Sequence, residues 1–330
     1  MLASGASDLG SNPNGVNNRP KKAFILLCAF SKYMQREYLF VITSGLLSGL
    51  IVFGGQIFSD LGLSLFEISF LLYIFTIPLL LPFVLLRKQS RFKKEMLPIW
   101  ILFGLSTAFA ILAQFGALVL GVQVAVVVLL LYTQPLWTIL FSKFFLKENV
   151  GKIEAIACAL VIGGTVFLVN PFAITSNNWI GLLVALMGGI CLSAWVITGS
   201  IASKKKADPI ATKFFASSFM LAFLFVFFFL LGFFIKDPKI VSFSLNWPIQ
   251  IWFYILLFNV FAETINHLCY LKGVEKVLTA DAGIILLLEP VVGALLAVIF
   301  LGQMLTTPII VGGALILIAN YLVITKENKK

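Results

Sequence analysis

Two stretches of this chain, 155 positions apart, carry the same apolar run interrupted by a proline, and they constrain the fold more than anything else in the sequence. Gln123 to Glu148 reads QVAVVVLLLYTQPLWTILFSKFFLKE, and Leu278 to Gln303 reads LTADAGIILLLEPVVGALLAVIFLGQ. At that offset Ala125 meets Ala280, Leu131 meets Leu286, Pro135 meets Pro290, Phe145 meets Phe300 and Leu146 meets Leu301. Val124 to Phe141 holds 18 residues without a charge, about what a helix needs to cross the hydrocarbon core of a bilayer. A proline is tolerated in such a run where neighbouring helices satisfy the freed carbonyl. Pro135 and Pro290 are therefore expected to be structural hinges at one depth in two copies of a membrane unit.

Composition agrees with a membrane chain. The 330 residues are 60% hydrophobic and 12% charged, with a mean hydropathy of +1.05. A soluble domain carries roughly twice that share of charge. The net charge of +10 does not point to nucleic acid, because the lysines and arginines punctuate apolar runs, as they do where cytoplasmic loops orient a membrane protein. Cys28, Cys158, Cys191 and Cys269 are scattered without a Cys-x-x-Cys pair, so disulfide and zinc frameworks are both disfavoured.

The chain reads as ten spans: Tyr38–Phe58, Glu67–Leu86, Leu97–Val119, the opening stretch, Glu154–Asn170, Trp179–Ile201, Ile210–Ile235, Trp247–Leu271, Val277–Leu301 and Thr306–Ile324. Residues 1–37 read as a disordered or interfacial cytoplasmic segment, 38–171 as the first five-span repeat, 172–325 as the second, and 326–330 as a cytoplasmic tail. With ten spans and both termini cytoplasmic, every Lys and Arg except Lys236 and Lys239 falls on the cytoplasmic side. Five is odd, so the second repeat enters the membrane from the opposite side. Inverted repeats are a common plan of secondary transporters, with the solute near the midplane. The expected fold is thus an all-α integral membrane protein of ten transmembrane helices in two inverted five-helix repeats. Small residues at Gly45 and Gly49 in span one, and at Gly181, Ala185, Gly189 and Ser193 in span six, are spaced four apart for close helix packing.

Tyr132-Thr133-Gln134-Pro135 followed by Phe144-Phe145-Leu146-Lys147-Glu148, and Leu288-Glu289-Pro290-Val291 followed by Phe300-Leu301-Gly302-Gln303, resemble the EamA-type repeat of the drug/metabolite transporter superfamily. The resemblance covers roughly Tyr38 to Ile324. It implies ten helices, inverted repeats and alternating access, with export as the family's commoner direction and the bacterial cytoplasmic membrane as the location. Gln303 departs from the family's usual acid, which Glu148 keeps. The family moves amino acids, drugs, nucleotide sugars, phosphorylated sugars and other metabolites, so the motif leaves the solute open.

An ionisable side chain at the middle of a span costs roughly 2.5–3.5 kcal/mol even on the lenient insertion scale, which makes it a functional candidate. Glu263 and His267 in span eight and Glu289 in span nine qualify, with Asp281 a weaker fourth. Asn259, Glu263, Asn266, His267 and Tyr270 recur at α-helical spacing and predict one polar face. That face lines a cavity, or it joins helices. Gln134 and Tyr132 in span four, Gln114 in span three and Trp195 in span six complete the candidate solute and proton pathway, with Pro135 and Pro290 as hinges. Gln123 shares a face with Gln134.

No Lys or Arg is expected at the middle of any span, which disfavours phosphorylated solutes. A small amino acid, amine or related metabolite fits acids, amides and aromatics better. The proton is the candidate coupling ion, and no cofactor or metal is expected. An intramembrane zinc or serine protease needs a fuller constellation than one histidine and Glu263-x-x-x-His267 supply. No Gly-x-x-x-x-Gly-Lys-[Ser/Thr] loop marks an ATP-driven pump. The rival reading is an uncoupled channel or scaffold on a transporter fold. The solute, the direction, the coupling ion and the choice of monomer or dimer stay open.

Overall fold

A computed structural model describes residues 36–120, 122, 124–169, 178–302 and 306–326. The expected N-terminal tail, its cysteine Cys28, the polar positions Gln123 and Gln303, and residues 327–330 lie outside the described residues. Among the described residues all regular structure is helical. Span one is Arg36–Asp60, span three Leu97–Val119, span five Lys152–Val169, span six Trp179–Lys204, span seven Pro209–Phe234 and span ten Thr307–Lys326. Nine of the ten, among the described residues, are long and apolar enough to cross a membrane. Span five, 18 residues with Glu154 in its first turn, is the tenth, and it packs along span ten.

Four spans are built from pieces. Span two is Leu65–Ile74 followed by Thr76–Leu86, and span four is Val124–Leu131 followed by Gln134–Phe145. Span nine is Thr279–Ile285 followed by Leu288–Leu301. A proline has no N–H to give and its ring displaces the carbonyl four residues back. The chain ahead of Pro135 and Pro290 accordingly tightens into three-residue turns: Thr133 N–H donates to the Leu130 carbonyl at 3.3 Å, and Leu287 N–H to the Ile284 carbonyl at 3.1 Å. Span eight is α-helical over Ile249–Phe258 and Asn266–Gly273, with a π-helical segment, Asn259–Ile265, between them.

Span starts are capped by the residues the sequence places there. Ser64 and Glu67 form a reciprocal capping box at span two. Asp208 accepts from the Ala211 N–H at 3.1 Å at span seven, and Asn178 from the Gly181 N–H at 3.1 Å at span six.

The packing exchanges helices between the repeats. Span one docks on spans eight and nine, while its counterpart, span six, docks on spans three and four. Glycines permit both contacts. A methyl group added at Gly45 would lie 2.8 Å from the Ile285 carbonyl oxygen, and one at Gly189 would lie 2.7 Å from that of Leu130. Each glycine thus sits against the interrupted turn of the opposite repeat's proline helix, and a side chain at either would push it away.

Candidate functional site

Charge buried inside the spans is gathered around Glu263. Its side chain is 0% exposed, and Oε2 lies 3.5 Å from Lys213 Nζ of span seven and 3.4 Å from His267 Nδ1. His267 Nδ1 also stands 2.7 Å from the Glu263 carbonyl oxygen. A carbonyl only accepts, so Nδ1 carries the proton and Nε2 is left as the acceptor of the neutral ring. Tyr73 of span two interacts with Glu263, and the Lys213 ammonium lies 5.3 Å from the Tyr73 ring centroid, within cation–π range. Among the described residues, Glu263 Oε1 has no hydrogen-bond partner.

Lys213 corrects the sequence reading. One turn inside span seven, it counts in the sequence pattern as part of the cytoplasmic loop. The side chain runs inward instead and is 3% exposed, placing a cation where none was expected. The only sequence signal is a lone lysine one turn into span seven, and that pattern is also the signature of a helix end. Tyr73 escapes sequence reasoning as well, because a tyrosine in an apolar span carries no periodic signal.

The predicted single polar face of span eight does not survive in that form. Asn259 donates to Thr76 Oγ1 of span two at 3.1 Å. Asn266 donates to Ser48 Oγ at 3.0 Å and accepts from Ser44 Oγ at 2.5 Å, both in span one. Tyr270 is fully buried, and its hydroxyl donates to the Val196 carbonyl of span six. The π segment adds residues to the turn and rotates the helix beyond it. The stripe is thereby dealt to several neighbours: Asn259 to span two, Asn266 to span one, and Glu263 with His267 to spans six and seven.

Trp195 bridges this cluster. It stacks on Tyr270 with centroids 4.6 Å apart and meets the edge of His267 at 5.1 Å. Glu289 is half-buried and interacts with Tyr132 of span four and with Glu263, which brings the two proline helices and span eight to one place. Gln134 is buried and donates to Thr138 Oγ1 at 2.6 Å, and Thr138 in turn donates to Ser193 at 3.1 Å. That chain joins spans four and six. Gln114 is half-buried on span three.

Comparison with known proteins is decisive for the family. The model of the EamA-like transporter family matches twice, over residues 35–170 and 179–325. The chain belongs to the EamA-like transporter family. This EamA-like transporter is 21% identical over 310 residues to a protein of Clostridium kluyveri known as an uncharacterized transporter, covering 90% of this chain and 95% of that one. It is 25% identical over 219 residues to an uncharacterized transporter of Archaeoglobus fulgidus, covering 66% of this chain and 73% of the relative. A solved crystal structure superposes with a TM-score of 0.69 at 19% identity, covering 89% of this chain and 98% of the other. At that identity the likeness concerns the fold alone.

Proposed function

We propose that this EamA-like transporter is a secondary carrier that works by alternating access on a small zwitterionic or amine-bearing solute, such as an amino acid or a related metabolite. The observation that carries the reading is the opposed pair Lys213 and Glu263, with the further acid Glu289 beside it, in the middle of an apolar bundle. A cation and two acids in one low-dielectric site match a solute that carries both signs of charge. Lys213 supplies the cation for a carboxylate, a cation that the sequence pattern did not show inside any span. In this reading Glu289 and Glu263 receive an ammonium group or a proton, and Lys213 receives a carboxylate. Trp195 and Tyr132 flank the solute, His267 presents Nε2, and Gln114 lines its route. Asn259, Asn266, Tyr270 and Gln134 position the helices that carry these groups. The proton is the proposed coupling ion, and Pro135 and Pro290 are the proposed hinges. Both termini are placed in the cytoplasm of a bacterial cell, with the protein in the cytoplasmic membrane and export as the net direction.

A thermal-shift screen of purified protein against amino acids, amines, nucleosides and vitamins selects ligands, and counterflow in proteoliposomes tests them. Saturable counterflow of a stabilising zwitterion or amine is the expected result. Linear, unsaturable flux would replace the carrier with a channel.

A further inference from the structure

Span nine begins inside a polar lock in which buried carboxylates meet lysines at the rim of the bundle. Glu148, just beyond the end of span four, accepts from the Thr279 N–H at 3.1 and 3.0 Å with its two oxygens, from the Ala280 N–H at 3.4 Å and from Thr279 Oγ1 at 2.7 Å. These N–H groups belong to the first turn of span nine, where helix geometry leaves them unpaired and the dipole favours a carboxylate. Lys204, the last residue of span six, pairs with Glu148 and donates to Thr279 Oγ1 at 3.1 Å. Two residues further on, Asp281 accepts from the Tyr38 hydroxyl of span one at 3.0 Å and lies 3.9 Å from Lys326 Nζ. Lys326, ending span ten, also pairs with Glu154 at the start of span five. Spans from both repeats are therefore tied to a single helix start by hydrogen bonds and ion pairs on buried carboxylates.

At the 155-residue offset Thr279, Ala280 and Asp281 meet Val124, Ala125 and Val126, and Glu148 meets Gln303. The equivalent positions carry no charge. In an inverted-repeat carrier the two ends exchange roles as the protein turns over, and matched ends would close equally well. These equivalent positions are not matched in sequence. We infer that Glu148, with Lys204 and Asp281, forms a latch that holds shut the end of the molecule where span nine begins, so that the resting carrier opens at the opposite end. The inference rests on the carrier reading but on no particular solute. In the proposed orientation, the latched end is cytoplasmic.

The test reads distances without any solute, so an error about the solute leaves it intact. Spin labels on cysteines replacing Lys143 and Lys276, both exposed, in a full-length variant whose four native cysteines are alanine, report the width of this end in lipid nanodiscs. Glu148→Gln and Asp281→Asn are each expected to raise the ratio of wide to narrow distances roughly tenfold, the change that one charged hydrogen bond supports. Lys204→Arg should keep the narrow distribution. Asp281→Asn leaves the Glu148 cap in place and so decides the question even where Glu148→Gln fails to fold. An unchanged narrow distribution in folded Asp281→Asn overturns the latch and reduces these residues to helix anchors.

Discussion

Lys213 and Glu263 form the pair whose separation should cost most. Removing one partner of a buried ion pair leaves an uncompensated charge and typically costs about 3–5 kcal/mol, whereas replacing both can be nearly neutral. Glu263→Gln and Lys213→Met should therefore each lower the melting temperature, and the double variant should melt above either single one. If the pair only braces the bundle, the stable double variant transports normally. If it handles solute, flux is lost in all three, and the comparison of melting with proteoliposome flux separates the two cases. Glu289→Gln should flatten the pH profile of flux while leaving the fold intact. The groups that interact with Glu289 are Tyr132 and Glu263, and Lys213 stands behind Glu263. A pH profile identical to that of the unaltered protein would remove Glu289 as the proton carrier. Residues such as Glu263 and Glu289 were legible because an acid in an apolar run has a solvation cost that composition alone reveals. Lys213 was not, because its role depends on which way a long side chain turns at a helix start, and tertiary packing decides that.

At the scale of the helix, ends and interruptions were more legible than faces. Leu97–Val119 is the same helix in the sequence pattern and in the structure, since length and hydropathy set where a span begins and ends. The paired breaks ahead of Pro135 and Pro290 likewise follow from the missing N–H of proline. The face of span eight escaped because periodicity assumes uniform α geometry, and no residue pattern announced the π segment Asn259–Ile265. Close packing provides a direct test at this scale. Gly45→Ala and Gly189→Ala put a methyl against a carbonyl oxygen at 2.8 and 2.7 Å and should each destabilise by about 1–3 kcal/mol, as overpacking does. Gly163→Ala meets nothing within 4 Å and should be neutral or raise the melting temperature, because alanine is the better helix former.

Across the whole molecule, the orientation is open to a labelling test at sites chosen by their exposure. Ser90, in the loop after span two, is buried and bonded to Asp208 at 2.5 Å, so a label there would fail for local reasons. Exposed Gln89 and Lys239 are the better pair. In intact cells an impermeant thiol reagent should label a cysteine at 239 and not one at 89, and the reverse pattern would invert the proposed topology. The exchange of helices between repeats makes a second expectation. Residues 1–171 and 172–330, expressed separately, should each be degraded, and co-expression should recover a folded complex by size-exclusion chromatography. A half that is stable and monodisperse alone would contradict the docking of spans one and six on the opposite repeat.

The docking of span one on span eight also governs how the protein is made. Ser44 meets its partner Asn266 across 222 positions of sequence. At a synthesis rate of about 5–20 residues per second, span one waits in the bilayer for roughly 10–40 seconds before Asn266 is translated. Throughout that interval its Gly45 and Gly49 groove and the hydroxyls of Ser44 and Ser48 face lipid, or whatever helper binds the nascent chain. Biogenesis of this transporter therefore passes through an early helix whose adhesive face is complete long before the surface it fits exists, and quality control has the whole of that delay in which to act on it.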